Sequence, residues 1–186
     1  MTSTTWESRL TVPVTEGRDH IQGPADAPVT LIEYGDYQCP YCGLAYPIVK
    51  DVQARMGDKL RFVFRNFPIT TKHPHAEAAA EAAEAASAQG KFWEMHDLLY
   101  ENQERLRDEH LHGYAEQLGL DVDRFDREMA DHVYAPRIRE DFMGGVRSGV
   151  NGTPTFYIND MRYDDSYEPE YLLAALERAA SAPRAG

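Results

Sequence analysis

The sequence predicts a small α/β protein that carries an all-helical insertion in its middle. Strand-like patterns occur only towards the two ends of the 186 residues, and a long stretch rich in helix-forming residues separates them. The predicted order is β-α-β, a helical block and then β-β-α, so the two ends of the chain are expected to share one sheet. The predicted α/β domain is 1–72 together with 149–186, and the predicted inserted helical domain is 73–148.

Three strands and one helix are predicted in the first third of the chain. Residues 29–36, VTLIEYGD, form a dense β-branched and aromatic run after a turn, which is typical of a buried strand. Residues 60–65 alternate in polarity with the period of a strand, and a short strand is expected at 9–14. A helix is predicted from Pro40 to about Arg55, because apolar residues recur there every four positions along one face. These residues are Leu44, Ile48 and Val52.

The rest of the chain changes from helical to strand-like patterns. Residues 73–106 are rich in strong helix formers, and Gly90 is expected to divide them into two helices. Asp121 is a good N-cap for a further helix. Residues 153–164 predict a hairpin, and 168–181 predict a closing amphipathic helix.

The charge balance restricts the classes of partner. Nineteen Lys and Arg residues face 31 Asp and Glu residues, a net charge of −12, which argues against a nucleic acid or an anionic membrane as partner. No stretch approaches the roughly 18 apolar residues of a membrane span. The N-terminus lacks the basic and apolar regions of a secretory signal, so the sequence predicts a cytoplasmic protein, or a periplasmic one if a leader was removed.

The chain has two cysteines, Cys39 and Cys42, in the stretch GDYQCPYCGLAYP. Cys39 follows a predicted buried strand and begins a predicted helix, where the helix dipole and free N–H groups lower a thiol pKa. Cys42 lies one turn further, close enough for an intramolecular disulfide and less exposed. Pro40 suits the first helical position because it has no N–H to lose. This arrangement predicts an exposed pair that exchanges electrons with other thiols.

A structural disulfide and a metal site are the alternatives for this pair. A disulfide across three residues closes a very small loop and stabilises little. A metal site needs further ligands, and His73 and His75 lie beyond a strand and a turn, so no metal is expected. The other histidines considered are expected on helix surfaces: His96, His110 and His112.

Two motifs, GPADAPVTLIEYGDYQCPYCG and, far downstream, GVNGTPTFYIND, resemble the DsbA-like branch of the thioredoxin superfamily. The resemblance covers essentially the whole chain, although the insertion matches only by position and helical character. It implies a thioredoxin fold, in which a central mixed sheet is flanked by helices, with an inserted helical domain. It also implies that the redox group is a Cys39–Cys42 disulfide and that no other cofactor is needed.

The resemblance implies roles for the residues of the CxxC motif. Cys39 matches the family's nucleophile and Cys42 its resolving cysteine, while Pro40 and Tyr41 match the dipeptide that tunes the reduction potential. DsbA itself has a histidine in this dipeptide, whereas the C-P-Y-C motif here is usual in glutaredoxins. We therefore expect a less acidic Cys39 and a milder oxidant than DsbA.

Three further residues match the family's site. Pro154 matches the cis-proline that faces the active site, and Thr153 before it is expected to offer backbone hydrogen bonds to an extended substrate. Glu33 lies where the family commonly has an acidic residue beneath the disulfide, so it is expected to have a raised pKa and to accept the proton of Cys42. The alternative for Glu33 is that it pairs with a neighbouring base or faces water.

The sequence therefore predicts an enzyme, a thiol–disulfide oxidoreductase that exchanges disulfides with protein or peptide thiols through a mixed disulfide at Cys39. Its recycling partner is expected to be thioredoxin, glutathione or a membrane oxidase, and the direction of electron flow stays open. One alternative is a glutathione-dependent reductase or transferase. Another is a protein-binding or metal-binding module without enzymatic activity.

Overall fold

A five-stranded mixed sheet organises the computed structural model, which describes residues 8–183. The strand order across this sheet is β1-β3-β2-β4-β5. The strands are β1 (His20–Gln22), β2 (Val29–Gly35), β3 (Leu60–Asn66), β4 (Thr155–Ile158) and β5 (Met161–Tyr163). The α-helices are α1 (Pro40–Met56), α2 (Ala76–Ala88), α3 (Phe92–Glu101), α4 (Asp108–Gln117), α5 (Val122–Ala130), α6 (Ala135–Arg147) and α7 (Pro169–Ser181). Strands from both ends of the chain therefore meet in one sheet, as the sequence predicts.

The central strand β2 sets the position of everything near the cysteines. It runs parallel to β3, with Glu33 opposite Phe64, and antiparallel to β4, with Glu33 opposite Phe156. All seven of its residues are buried. The loop after β2 therefore emerges from the middle of the sheet, next to the loop that leads into β4.

Two apolar clusters cover the two faces of the sheet. Alternate residues of β2 enter different clusters, since Leu31 packs in one cluster and Ile32 in the other. The larger cluster joins β2 and β3 to α1, α3 and α7, and the smaller one packs against Phe142 of α6. The helices between β3 and β4 thus contribute to the same cores as the sheet.

Helix α1 forms where it is predicted, but a different face is buried. Leu44 is 64% exposed and Ile48 is half-buried, so of the predicted face only Val52 lies in the core. The helix continues through Pro47 and is followed by a short 3₁₀ turn, Gly57–Lys59. The side chains of α1 that lie in the core are Cys42, Ala45, Val49, Val52 and Met56.

Five helices, α2 to α6, lie between β3 and β4, in the span where an inserted helical domain is predicted. Gly90 separates α2 from α3, and the Asp121 side chain caps α5 by accepting from the Arg124 N–H. These outcomes match the sequence patterns. The exact domain boundaries stay a prediction.

The prediction of a strand at 9–14 is wrong. The described residues show only an isolated bridge between Arg9 and Met161 there, and the edge strand is β1, which pairs antiparallel with β3. The carbonyls of Val12 and Pro13 accept hydrogen bonds from the Arg65 guanidinium at 2.8 and 3.1 Å. Because a buried side chain takes these backbone acceptors, they are not available to a neighbouring strand.

Within residues 8–183, no helix has both the length and the apolar character that crossing a membrane requires.

Candidate active site

The junction between β2 and α1 places Cys39 at the N-cap of α1, with Pro40 at the first helical position. The Asp36 carboxylate organises this junction, since its Oδ1 accepts from the N–H groups of Gln38 and Cys39 at 2.8 and 3.2 Å. Asp36 is itself buried. The sulfur of Cys39 is thereby held at the end of the helix where N–H groups are unpaired.

The environment of Cys39 strongly favours the thiolate. Its pKa is lowered to about 5, mainly by a hydrogen bond from the Cys42 thiol and also by the N–H groups of Tyr41 and Cys42, although burial acts in the opposite direction. Cys39 is 4% exposed, so the expectation of an exposed pair is wrong: the nucleophile is largely covered. The covering includes the backbone at Thr153, whose carbonyl lies 3.4 Å from the Cys39 Sγ.

The second cysteine has the opposite environment. Cys42 has no exposed surface, and burial, together with its hydrogen bond to Cys39, raises its thiol pKa well above the ordinary value. Both cysteines are free thiols in this structure. At neutral pH the pair therefore consists of one thiolate and one thiol, which share a hydrogen bond.

The loop before β4 lies against Cys39. The peptide bond between Thr153 and Pro154 is cis, and the Thr155 hydroxyl donates to the Gly152 carbonyl at 2.7 Å. The Thr153 Oγ1 is buried and has no hydrogen-bond partner among the described residues. The structure thus brings Thr153 and Pro154 beside Cys39, although more than a hundred positions separate them in the chain.

Glu33 lies in the core and not at the surface. It is 2% exposed, its Oε1 has no hydrogen-bond partner, and no ion pair involves it within the described part of the chain. Burial, and next the negative charge of Cys39, raises its pKa to about 8. The alternative that Glu33 pairs with a base or faces water is therefore wrong.

The dipeptide between the cysteines faces solvent. Pro40 is exposed and Tyr41 is 63% exposed, next to the equally exposed Leu44. Tyr41 acts on Cys39 through its backbone N–H, and its phenol is not among the main groups that shift the Cys39 pKa. Tyr41 and Leu44 form an apolar surface beside the nucleophile.

Residues from the loop before α2 and from α3 reach the site, and sequence reasoning missed their roles. His73 donates from its Nδ1 to the Asp36 carboxylate at 2.8 Å, and no group of three or more potential metal ligands occurs in residues 8–183. His96, expected on a helix surface, is 3% exposed and shares a hydrogen bond with the Tyr37 hydroxyl at 2.9 Å. Each of these contacts joins positions far apart in the chain, so local patterns carry no signal for them.

Tyr100 of α3 adds a second buried polar group without a partner. Its hydroxyl has no hydrogen-bond partner in the described chain and would lie 2.8 Å from a Cβ added to Gly35. Glu33 and Gly35 are two positions apart on β2, so their Cβ directions share a face. The Tyr100 hydroxyl therefore lies on the face of β2 that carries Glu33.

A family model described as Thioredoxin matches residues 15–178 of this chain. Curated proteins similar to the chain are named Na(+)/H(+) antiporter NhaA. One from Salinispora arenicola is 51% identical over 175 residues, which is 94% of this chain and 27% of the relative. One from Herminiimonas arsenicoxydans is 42% identical over 94% of this chain and 28% of its own length. The chain thus spans little more than a quarter of the length of these relatives.

Solved structures with a similar fold cover almost all of the chain. A thioredoxin-like oxidoreductase from Silicibacter pomeroyi has a TM-score of 0.79 and 28% identity, over 90% of this chain and 95% of that chain. Oxidised BdbD from Bacillus subtilis has a TM-score of 0.81 and 22% identity, over 94% and 100%. The α-DsbA1 protein of Wolbachia pipientis has a TM-score of 0.77 and 18% identity, over 92% and 94%. These similarities confirm the predicted fold.

Proposed function

The chain belongs to the thioredoxin family, and from that premise we propose that it is a thiol–disulfide oxidoreductase acting on cysteines of other proteins. The observation that carries the proposal is the contrast between its two thiols. The pKa of Cys39 is about 5, whereas burial raises the pKa of Cys42 well above the ordinary value. Such a pair supplies an attacking thiolate and a protected second thiol, which are the two parts of a disulfide-exchange reaction.

The reaction has two exchange steps. The Cys39 thiolate attacks one sulfur of a substrate disulfide, forms a mixed disulfide at Cys39 and releases the other substrate sulfur as a thiolate. Cys42 then loses its proton, and its sulfur attacks the Cys39 sulfur. This forms the Cys39–Cys42 disulfide and releases the second substrate thiolate, so two electrons pass to the substrate. The reverse sequence oxidises a substrate dithiol.

Glu33 accepts the Cys42 proton in this scheme. Its pKa of about 8 has two causes, burial first and the Cys39 negative charge second. When Cys39 is part of the mixed disulfide its charge is gone, so the second cause disappears and Glu33 becomes more acidic. A larger fraction of Glu33 is then ionised at the step at which Cys42 must lose its proton.

The substrate is an extended polypeptide in this proposal. The backbone of Thr153 and Pro154 borders the Cys39 sulfur, where a strand of substrate can add its backbone hydrogen bonds. The exposed Tyr41 and Leu44 offer apolar contacts beside the reacting sulfur. Protein or peptide thiols suit such a surface better than a single small thiol.

We propose that the protein is a moderate oxidant. The Cys39 pKa of about 5 lies between the value of about 7 in thioredoxin and that of about 3.5 in DsbA. A more stable thiolate makes the reduced form more stable and the disulfide more oxidising. This order agrees with the milder oxidant expected from the C-P-Y-C motif.

A turnover assay tests the proposed activity. The chain should catalyse insulin reduction by dithiothreitol and the oxidative refolding of a reduced, disulfide-containing protein. Cys39→Ser should abolish both activities, while Glu170→Gln, which changes an exposed carboxyl group, should leave both unchanged. Equal rates for Cys39→Ser and the unaltered chain would contradict the proposal. Activity that appears only with glutathione present would favour the glutathione-dependent alternative.

The curated relatives suggest one partner. Because proteins named as Na(+)/H(+) antiporters contain a segment 51% identical to this chain, we propose that this chain performs its thiol chemistry beside a membrane antiporter of that class. Cys42→Ser, expressed with a tagged antiporter, should then form a reducible adduct with it. Adducts with other proteins alone would contradict this partner. The cytoplasm stays the proposed location, and cell fractionation would distinguish it from the periplasm.

A further inference from the structure

We propose that Gln103, in the loop between α3 and α4, is a positioning residue that fixes the backbone of the nucleophile loop. The nucleophile loop is defined here as residues 36–39, from the end of β2 to the N-cap of α1. This inference rests on the proposed thiol chemistry at Cys39 and deepens it. It assigns to the helices inserted between β3 and β4 a direct role in holding the nucleophile.

Gln103 bonds two carbonyl groups of the nucleophile loop. Its Nε2 donates to the carbonyls of Tyr37 and Cys39, each at 2.9 Å. The Cys39 carbonyl also accepts the first helical hydrogen bond of α1, from the Gly43 N–H at 3.1 Å. A side-chain amide has two N–H donors in one plane, so it holds both carbonyls at a fixed separation. The orientation of the Cys39 peptide group is thereby set from outside α1.

Gly43 makes this contact sterically possible. A Cβ added at Gly43 would overlap with the Oε1 of Gln103, and no other atom of the described chain comes as close to that Cβ position. Gly43 lies within α1 and is not among the glycines with a positive φ. A glycine inside a helix costs about 0.5–1 kcal/mol relative to alanine. What the glycine provides here is room for the Gln103 amide.

The other residues of the nucleophile loop also have hydrogen-bond partners within residues 73–103. Asp36 binds His73 at 2.8 Å, and the Gln38 Oε1 accepts from the N–H of His75 at 2.6 Å. The Tyr37 hydroxyl shares a hydrogen bond with His96. Each residue of the nucleophile loop therefore has a partner in this part of the chain. Among the contacts that the structure describes, Gln103 provides the hydrogen bond from these helices and loops to Cys39 itself.

The Cys39 thiolate depends on this orientation. The N–H groups of Tyr41 and Cys42 and the Cys42 thiol lower its pKa, and they do so only while the sulfur lies at the start of α1. If Gln103 no longer holds the Cys39 carbonyl, the peptide group can rotate and the sulfur can leave these donors. The thiolate then becomes less stable, and the disulfide becomes less oxidising.

Gln103→Met tests the proposal because methionine has a similar length and volume but no N–H donor. In the reduced chain, thiolate absorbance measured against pH should show a Cys39 pKa higher by at least about half a unit. The reduction potential of the pair should become more negative. Gln103→Glu, which keeps the side-chain shape but loses the donor and adds a negative charge near the thiolate, should shift both quantities further in the same direction.

Gln89→Met is the matched control. The Gln89 side chain also makes two hydrogen bonds, with the backbone N and O of Asp121 at 2.7 and 3.2 Å, but it does not contact the nucleophile loop. The control should leave the Cys39 pKa and the reduction potential unchanged. An equal shift in the control and in Gln103→Met would overturn the proposal, since it would reflect general loosening. Unchanged values in Gln103→Met would overturn it as well.

Gly43→Ala provides an independent variant. Helix propensity alone favours alanine, yet its Cβ should displace Gln103 and raise the Cys39 pKa. Adding it to Gln103→Met should cause little further change, because both changes remove one contact. An unchanged pKa in Gly43→Ala would contradict the proposed contact. A shifted pKa in a chain without turnover would instead refute the proposed function and retain the role of Gln103.

Discussion

At the residue scale, Cys39 and Cys42 have opposite electrostatic environments although only two residues separate them. Cys39 accepts a hydrogen bond from Cys42 at the start of a helix, and Cys42 is buried beneath it. A buried carboxyl group, Glu33, lies close enough for the Cys39 charge to affect it. Perturbed pKa values of this kind, grouped around one pair of sulfurs, are typical of a reactive site.

Glu33 provides a prediction about stability and pH. In the folded chain its pKa is about 8, whereas an unfolded glutamate has a pKa of about 4.3. Between these values the unfolded chain has lost the proton and the folded chain has kept it. The free energy of unfolding should therefore fall with rising pH in this window, by about 1.4 kcal/mol per pH unit from this group.

Denaturant unfolding of the oxidised chain between pH 5 and 8 measures the part of this effect that burial causes, because the disulfide removes the charge of Cys39 and the loss should then end at a lower pH than in the reduced chain. Glu33→Gln should remove this fall in the free energy of unfolding, so the variant becomes more stable relative to the unaltered chain as the pH rises. Glu170→Gln, an exposed control, should follow the unaltered chain. Parallel pH dependence in the unaltered chain and Glu33→Gln would show that Glu33 does not titrate in this window.

At the element scale, the edge strand β1 is attached to the sheet by a buried ion pair as well as by β-pairing. Asp19, just before β1, accepts two hydrogen bonds from Arg65 of β3, at 2.8 and 3.0 Å, and both side chains are almost completely buried. Burial, the largest single cause, would raise the pKa of Asp19. The hydrogen bonds from Arg65 and the Thr15 N–H and the charges of Arg65 and Arg18 together lower it. The pair is therefore charged on both sides at neutral pH.

Asp19→Asn should leave the buried Arg65 charge without its counterion. The expected loss is about 3–5 kcal/mol in the free energy of unfolding, measured in urea. Asp51→Asn is the control, because Asp51 pairs with Arg55 at an exposed i,i+4 position of α1 and should cost at most about 1 kcal/mol. Similar losses in the two variants would mean that the buried Asp19–Arg65 pair stabilises the chain no more than an exposed ion pair does.

Elements were predictable where the pattern is local. The β2 run, the α1 helix and the cap at Asp121 depend on neighbouring residues, and all three form as expected. The strand at 9–14 failed because Arg65, more than fifty positions away, binds the carbonyls of that segment. The buried face of α1 was also misjudged, since the exposed Leu44 lies beside the reactive cysteine and outside the core.

At the scale of the whole molecule, the sheet and the inserted helices share apolar cores. Phe64 of β3 contacts His96 and Tyr100 of α3, and Trp93 of α3 lies 5.8 Å from Phe62, measured between ring centroids. Separating the two parts would expose these rings. We therefore predict that they unfold together, as one cooperative unit.

A comparison of two probes in urea checks this prediction. Trp6→Phe leaves Trp93 as the single tryptophan, so its fluorescence reports on α3 while far-UV circular dichroism reports on all elements. The two transitions should have the same midpoint and slope. A separate early transition in either signal would indicate that the inserted helices unfold on their own.

The site was predictable to the extent that its residues carry a motif. Cys39 and Cys42 are marked by their spacing after a strand, and Thr153 and Pro154 were placed opposite them by resemblance. Gln103 has no such signal, because its role depends on a loop that returns to the N-terminus of α1. A residue that positions the reacting cysteines, such as Gln103, can therefore be recognised only in the three-dimensional structure.

The central claim is that Cys39 is the attacking nucleophile, and trapping the mixed disulfide tests it most directly. Reduced Cys42→Ser is mixed with insulin, quenched by acid and analysed by intact mass spectrometry and peptide mapping. We predict an adduct carrying one insulin molecule, bound to Cys39 and released by dithiothreitol, and none with Cys39→Ser. An adduct that forms as fast on Cys42 of Cys39→Ser, or none on Cys42→Ser, would contradict it.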